Sequence, residues 1–463
     1  MTKTTSTPRT RKVRRRSAGG KPARGWELQR AGRRIRRADV RKLRIGETDS
    51  KLTTVGGLVS FNAFAREQGL PAELRRRFGH LKTGAGVVYP MGAQMQMLVD
   101  ASVAGAKRVF DLEMLAADPL FVHLAGGSVP SIDILYDDLR RFDEQALEDL
   151  EEVVAEHGVA PLRGRHSPEL FLDIDTTVMP LFGEQEGARP GPNPRYHGRP
   201  SYHPILARIA QSGTIVGARL RPGDTGLGEL DVEDVEQWLD RTRAAVGRAS
   251  LVTVRIDAGG DCASILRAID GKGAWFLVKM KQTPNLVGAV WATNSWKTID
   301  CDALGRPTRQ VAEISFEREG WPPGQWRVFA IRTNERHSGN QSCLWDDLDF
   351  SVHVFATNDK AHDADELARR YDDRAGIETV IADLKGGFGI GKVSTDCFNA
   401  NEAAFLLKVL AFNLQRRWVQ ARHATLASWR TPWLRRVCVQ VPGRLLRSGG
   451  RWELRLAPRP MLC

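Results

Sequence analysis

No apolar run in this 463-residue chain approaches the ~20 residues that a membrane-spanning helix needs. No membrane role is expected. Cysteine is scarce. The six residues, Cys262, Cys301, Cys343, Cys397, Cys438 and Cys463, lie far apart, and no pair has zinc-site spacing. That excludes a zinc-stapled or disulfide-stapled scaffold and fits free thiols in a reducing cytoplasm. No internal repeat is present, so a repeat array is excluded. A signal-peptide pattern is also lacking. An Arg-rich N-terminus can serve as an organellar transit peptide, but here it runs straight into folded-looking sequence.

Acidic residues are nearly missing from one segment. Residues 1–46 hold 17 Lys plus Arg against two acids, Glu27 and Asp39, a net charge of +15 in a chain whose total is +13. The rest of the chain sums to −2, so the basic charge reads as a tail and not as a property of the body. "RKVRRRSAGGKPARGWELQRAGRRIRR" has no sustained apolar period and is expected to be disordered. Such a tail suits phosphate backbones through counterion release.

The body is 42% hydrophobic, enough for real cores. Residues 51–165 carry apolar residues at helical intervals, as in "MGAQMQMLVDASVAGA". A Gly-Gly turn at 126–127 followed by "SVPSIDILYDDLRRF" predicts either a helix-turn-helix or an ordinary helical hairpin. From 170 the pattern changes. "LFLDIDTTVM", "SYHPILARIA" and "GTIVGARLRPGD" read as three strands. "DVEDVEQWLDRTRAAVG", "LVTVRID", "DCASILRAID" and "AWFLVKMK" then read as helix, strand, helix, strand, an α/β layout with a mixed sheet. Between 281 and 356, "LVGAVWA", "RQVAEISFE", "QWRVFAIR" and "DFSVHVFAT" read as successive strands, and six of the 12 Trp lie at 275, 291, 296, 321, 326 and 345. This is a β-rich insertion. Helices return near 363, and "RLLRSGGRWELRLAP" predicts a final hairpin.

The stretch "YDDRAGIETVIADLK" at 371–385 places Tyr371, Arg374, Glu378 and Lys385 within an arc of roughly 60° on an α-helix, beside an apolar stripe. Gly376 interrupts it at a cost of roughly 1 kcal/mol relative to Ala, so the helix can equally start there and leave Tyr371 and Arg374 on the turn before. Asp175 sits in or near the end of the first strand and Asp257 ends the fourth. Carboxylates at buried strand ends need a reason, because an unpaired buried charge is costly. Asp175, Asp257 and Glu378 converging from two strands and a helix make a hard, oxygen-rich site suited to Mg²⁺ or Mn²⁺. Two such ions serve phosphodiester displacement. Turn-capping is the alternative for Asp175 and Asp257, and Asp173, on the same strand face as Asp175, is the alternative first ligand.

"DTT" at 175–177, "RID" at 255–257 and Y-x2-R-x3-E-x6-K at 371–385, in this order, resemble the DDE transposases of bacterial insertion sequences, in the branch with the Tyr-Arg-Glu-Lys signature. "GEQEGA", "YHPILA", "LRPGD", "VPSIDILYDDLRRF" and "AFNL" resemble one subgroup of that branch, and the likeness spans roughly residues 50–440. "AGGDCAS" and "GPNPRY" depart from it without touching a catalytic position.

The resemblance implies an RNase H-like core at 166–280 and 357–425, interrupted by the β-rich insertion at 281–356. A helical DNA-binding region at 47–165 would precede it and an extension at 426–463 would follow. It further implies that Asp175, Asp257 and Glu378 bind two Mg²⁺ or Mn²⁺ ions and that Tyr371, Arg374 and Lys385 hold phosphates. An aromatic of the insertion would stack a displaced base. The partner would be double-stranded DNA, at terminal inverted repeats and at the target, met by a homodimer in a bacterial cytoplasm. The activity would be cut-and-paste transposition. A metal-dependent nuclease on the same fold, or a non-catalytic transposase-derived DNA-binding protein, are the alternatives.

Overall fold

The computed structural model describes residues 46, 49–165, 167–193, 197–246, 250–334 and 350–458. The basic segment 1–46, apart from Gly46, lies outside them, as do Trp345, Cys343 and Cys463.

A two-residue strand, β1 (Leu52–Thr53), leads into helices α1 (Leu58–Glu67), α2 (Leu70–Phe78), α3 (Met91–Ala104), α4 (Pro119–Leu124), α5 (Ile132–Leu139) and α6 (Glu144–Val159). Local chemistry sets their starts. Asp118 caps α4 by accepting from the Leu120 and Phe121 amides, and Asp143 caps α6 through the Ala146 amide. Asp118 also accepts from the Thr53 hydroxyl at 2.7 Å, which ties β1 to α4. The helix-turn-helix alternative is not met. Residues 125–131 separate α4 from α5, longer than the three or four residues such a turn uses. Moreover, α5 buries Leu135, Asp138 and Leu139 and leaves Asp133 and Asp137 outside. An acidic outer face repels phosphate.

Nine strands then form one sheet. β2 (Glu169–Thr176), β6 (Ile205–Ile209) and β7 (Ile215–Arg219) are antiparallel neighbours, while β8 (Leu251–Ile256) and β9 (Trp275–Lys279) run parallel to β2. A small separate sheet of β3 (Met179–Pro180), β4 (Arg189–Pro190) and β5 (Pro200–Tyr202) sits between β2 and β6 in sequence. The connections after β7 and β8 carry α7 (Val232–Val246) and α8 (Ala263–Gly271). Near-continuous apolar runs make β8 and β9 buried strands, as parallel strands covered on both faces must be.

The β-rich stretch opens with a helix where a strand is expected. "LVGAVWA" falls on α9 (Pro284–Trp291), with Thr283 as its cap and Pro284 in its first turn. Cap and Pro together override the strand-like composition. The four strands that follow, β10 (Lys297–Cys301), β11 (Pro307–Ile314), β12 (Arg327–Asn334) and β13 (Phe350–Thr357), do not close a sheet of their own. β13 pairs with β9 through Phe355–Lys279, Ala356–Val278 and Thr357–Leu277, so the order across the sheet is β10-β11-β12-β13-β9-β8-β2-β6-β7.

Helices α10 (Ala364–Asp372), α11 (Gly376–Asp383) and α12 (Phe398–Arg422) return the chain to this sheet. α12 is buried along most of its 25 residues and packs on α3 and α6. Its Asn413 accepts the Ile215 amide at 2.8 Å and donates to the Ile215 carbonyl at 2.7 Å, while its Glu402 accepts the Leu220 amide at 3.1 Å. "AFNL" is thus an edge clamp: it satisfies the unpaired backbone of edge strand β7. The predicted last hairpin is present as β14 (Gly443–Ser448) and β15 (Arg451–Leu456), with β1 added to the free side of β14.

Candidate active site

Two parallel strands fix the first two carboxylates. In the β2–β8 register Ile174 faces Ile256, so Asp175 and Asp257, each one residue further, stand at the C-terminal ends of adjoining strands. Asp257 also caps the short turn after β8, its carboxylate accepting from Gly259 at 2.9 Å. The turn-cap alternative for Asp257 is therefore met, at a strand end beside Asp175.

The third group comes from the 371–385 stretch, which is not one helix. α10 ends at Asp372, a single 3₁₀ turn spans Asp373–Ala375, α11 starts at Gly376, and a π-helical turn covers Leu384–Phe388. Tyr371 lies on the last turn of α10, Arg374 on the 3₁₀ turn, Glu378 in the first turn of α11 and Lys385 in the π turn. Three of the four bond to backbone at or just past the strand ends. The Tyr371 hydroxyl donates to the Ile256 carbonyl at 3.3 Å. Arg374 donates to the Ile174 carbonyl at 3.1 Å and reaches Asp175 Oδ2 at 3.3 Å. Lys385 donates to the Val178 carbonyl at 2.9 Å.

Gly376 is required by packing. A Cβ there would lie 2.6 Å from Arg208 Nη1. That guanidinium is held at 2.8 Å by Asp173, whose other oxygen takes Arg255 Nε at 2.6 Å. Asp173 is fully buried between these two arginines. It shares a strand face with Asp175, but both of its oxygens are already taken by guanidinium. Arg255 also donates to the Arg370 carbonyl near the end of α10. One guanidinium thereby ties β8, β2 and α10 together beneath the site.

The electrostatics agree with carboxylates brought close. Burial pushes the Asp175 carboxyl up to about 6; Arg374 and the Thr176 amide pull it down, while Asp257 and Glu378 push it up. Both partner carboxylates therefore lie within electrostatic reach of Asp175. Burial also pushes the Tyr371 hydroxyl up to about 12, and Asp257 and Asp175 add to that shift. The Lys385 side chain is exposed as a whole, but desolvation of its ammonium against the Val178 carbonyl lowers its pKa, and Asp175 opposes the change.

Sequence reasoning passed over one nearby group, His203 of "YHPILA". It is buried, its ring nitrogen lies 2.7 Å from the Thr225 carbonyl, and burial lowers its imidazole pKa while the Thr225 carbonyl and Asp257 act in the opposite direction.

The donor set, three carboxylates around a partly buried floor, is the kind that hard divalent cations select. Among the described residues, however, no three His, Cys, Asp or Glu side chains are close enough to enclose one ion. Arg374 supplies positive charge at Asp175 in this arrangement. Glu378 is exposed.

The described tryptophans of the β-rich stretch do not gather here. Trp321 and Trp326 are core residues. Trp296 lies under Arg332, whose guanidinium is 4.4 Å from its ring. Trp291, 67% exposed, borders an open groove of about 510 Å³ with Val352 and Val354. Those valines point to the sheet face opposite Phe355, and Phe355 is the residue against which Tyr371 packs at 4.5 Å.

The family model described as transposase DDE domain, group 1, matches residues 36–460 of the chain. No curated protein matches. Among solved structures, the piggyBac transposase synaptic complex with hairpin DNA aligns at 11% identity over 79% of this chain and 76% of that one, with a TM-score of 0.41. No helix among the described residues is long and apolar enough to cross a membrane.

Proposed function

Because the chain belongs to the transposase DDE domain family, group 1, and is thereby a DNA-cleaving transposase, we propose that it moves a bacterial insertion sequence by cut-and-paste excision and insertion. We place it in the branch marked by the Tyr-Arg-Glu-Lys signature. The observation that carries this reading is the meeting of Asp175 and Asp257 at adjoining parallel strand ends, with Arg374 and the Glu378 helix against them. The strand order β7-β6-β2-β8-β9, antiparallel on one side of β2 and parallel on the other, supports an RNase H-like catalytic core. In this reading the core is 166–280 plus 357–425, the stretch 281–356 is inserted into it, and 47–165 and 426–463 flank it.

DDE transposase domains generally use divalent metal ions. Asp175, Asp257 and Glu378 would hold two Mg²⁺ or Mn²⁺, which when bound supply Lewis acidity to the attacking and leaving oxygens of the phosphodiester. The chain's own groups do the rest. Arg374 is buried and acts through Asp175, keeping that carboxylate charged against burial. Tyr371 fixes the end of β8 through the Ile256 carbonyl. Lys385 is exposed and is the group suited to a DNA phosphate. Water would open the strand at an element end, and the freed 3′-hydroxyl would attack the target. Terminal inverted repeats and a homodimer belong to the same proposal.

Two outcomes test its parts. Lys385→Ala is expected to unfold within about 0.5 kcal/mol of the unaltered protein. It should nevertheless lose about 1.5–3 kcal/mol of transition-state binding, roughly a 10- to 150-fold drop in kcat/KM on a short inverted-repeat duplex. Lys385→Arg should recover only part of that, because a planar fork replaces a point charge. An unchanged kcat/KM in Lys385→Ala would remove Lys385 from the DNA contact, and cleavage by the unaltered chain with no strand-transfer product would favour a nuclease on this fold.

Deleting residues 1–46 removes a net +15. If roughly six to ten of those charges meet phosphates, the slope of log K against log salt should flatten by about 5–9. Discrimination of element end from random DNA should survive. A truncated chain with the full salt slope would exclude the segment from DNA binding.

A further inference from the structure

The turn that carries Lys385 runs on as "KGGFGIGK", residues 385–392, with a lysine at each end. Positive charge collects around it. Lys385 and Lys392 are exposed. Lys107 lies against the middle of the loop, where a Cβ on Gly389 would fall 2.6 Å from the Lys107 Cβ. Beneath the loop, the buried Lys408 of α12 donates to the Gly389 and Lys392 carbonyls at 3.0 and 3.1 Å.

These cations are not balanced locally. Among the described residues, no carboxylate lies within ion-pair distance of the Lys107, Lys385, Lys392 or Lys408 ammonium. Asp111 is turned instead to backbone, accepting from the Lys107 and Arg108 amides at 2.7 and 3.0 Å. Burial pushes the Lys408 ammonium down to about 7; Asp111 pulls it up, while Arg108 and Lys392 push it further down. Like charges thus act on one another across this loop, and one of them is buried, where an uncompensated charge is costly. A cluster of one sign beside a cleft concentrates counter-ions of the other.

The glycines of the loop divide in two. Gly389 takes φ +64°, and a Cβ on Gly387 would meet the Thr431 methyl at 2.7 Å, so both have reasons inside the protein. Gly386 and Gly391 have neither a positive φ nor any atom within 4 Å of where a Cβ would stand. Glycine there costs backbone entropy and the fold does not require it. Bare backbone between cations that lack carboxylates suits close approach by an anion from outside.

We propose that the 385–392 loop, with Lys107 against it, binds successive phosphates of a DNA strand leaving the carboxylate site, Gly386 and Gly391 letting the sugar–phosphate backbone come close. This rests on the reading of the protein as one that cleaves DNA, in which Lys385 meets the first of those phosphates. Lys392 and Lys107 take the next ones. Lys408 holds the loop from beneath through its two carbonyls. Contacts of this kind fix the position of the strand and carry no sequence information.

The test is fluorescence anisotropy of the full chain with an inverted-repeat duplex across a salt series in EDTA, where no metal-dependent cleavage intervenes. Lys107→Gln/Lys392→Gln retains the side-chain stems. It should keep its unfolding midpoint and flatten the slope of log K against log salt by about 1.8, or 0.9 for each lost contact. Arginine at the same two positions should restore the slope. Lys392→Gln alone should flatten it by about 0.9, a second route if the double variant folds poorly. Gly386→Ala and Gly391→Ala should unfold no earlier than the unaltered chain, yet each should bind about fivefold more weakly, as for one lost backbone–phosphate hydrogen bond. An unchanged slope in the glutamine variants, or unchanged affinity in both glycine variants, would overturn the proposal and leave the transposase reading intact. An unaltered chain that does not bind duplex DNA at all would contradict that reading itself.

Discussion

Asp173→Ala is expected to cost about 3–5 kcal/mol of stability, the range for removing one partner of a buried ion pair. The carboxylate is fully buried and is shared by Arg255 and Arg208 at 2.6 and 2.8 Å. Removing it leaves two guanidiniums in the interior with no counter-charge. The loss is a large part of a typical total of about 5–15 kcal/mol, and urea unfolding reads it directly. Asp175→Ala, two residues along the same strand face, should behave differently. Burial and the neighbouring carboxylates already disfavour its charge, and Arg374 retains the Ile174 carbonyl when Asp175 is gone. About 1 kcal/mol or less is expected there. Equal destabilisation by the two variants would contradict the division of labour in which Asp173 is structural and Asp175 is chemical.

That division was half legible. Alternation in "LFLDIDTTVM" put Asp173 and Asp175 on one face, and nothing local distinguished them. The distinction comes from Arg255 and Arg208, brought in by strand pairing across 82 and 35 residues. The same Arg208 explains Gly376, whose cost to the helix could be read in sequence and whose reason could not. Of the two readings of 371–385, one continuous helix or a helix that starts at Gly376, the fold adopts the second. Three short helical types replace one α-helix, yet Tyr371, Arg374 and Lys385 still bond to backbone at or just past the strand ends. "LVGAVWA" folds as a helix because Thr283 caps it and Pro284 opens its first turn. The sheet's continuity from β13 into β9 depends on three residue pairs separated by more than 70 positions, which no local pattern encodes.

The larger functional effect belongs to the carboxylates. Asp175→Asn, Asp257→Asn and Glu378→Gln each keep shape and remove one charge. If the three hold the cations of phosphodiester cleavage, each loss withdraws several kcal/mol of transition-state stabilisation, at least roughly a 10³-fold fall in rate. DNA affinity should hold or rise slightly, because these groups repel phosphate. The aspartates stand at the ends of strands that are already buried, and Glu378 is exposed, so stability should change little.

Nicking of a labelled inverted-repeat duplex, followed in Mg²⁺ and in EDTA by the unaltered chain and by Glu378→Gln, tests the account most directly. The account predicts cleavage that needs the divalent cation and disappears in Glu378→Gln, with duplex binding retained by both. Cleavage by Glu378→Gln at the unaltered rate, or cleavage that persists in EDTA, would contradict it.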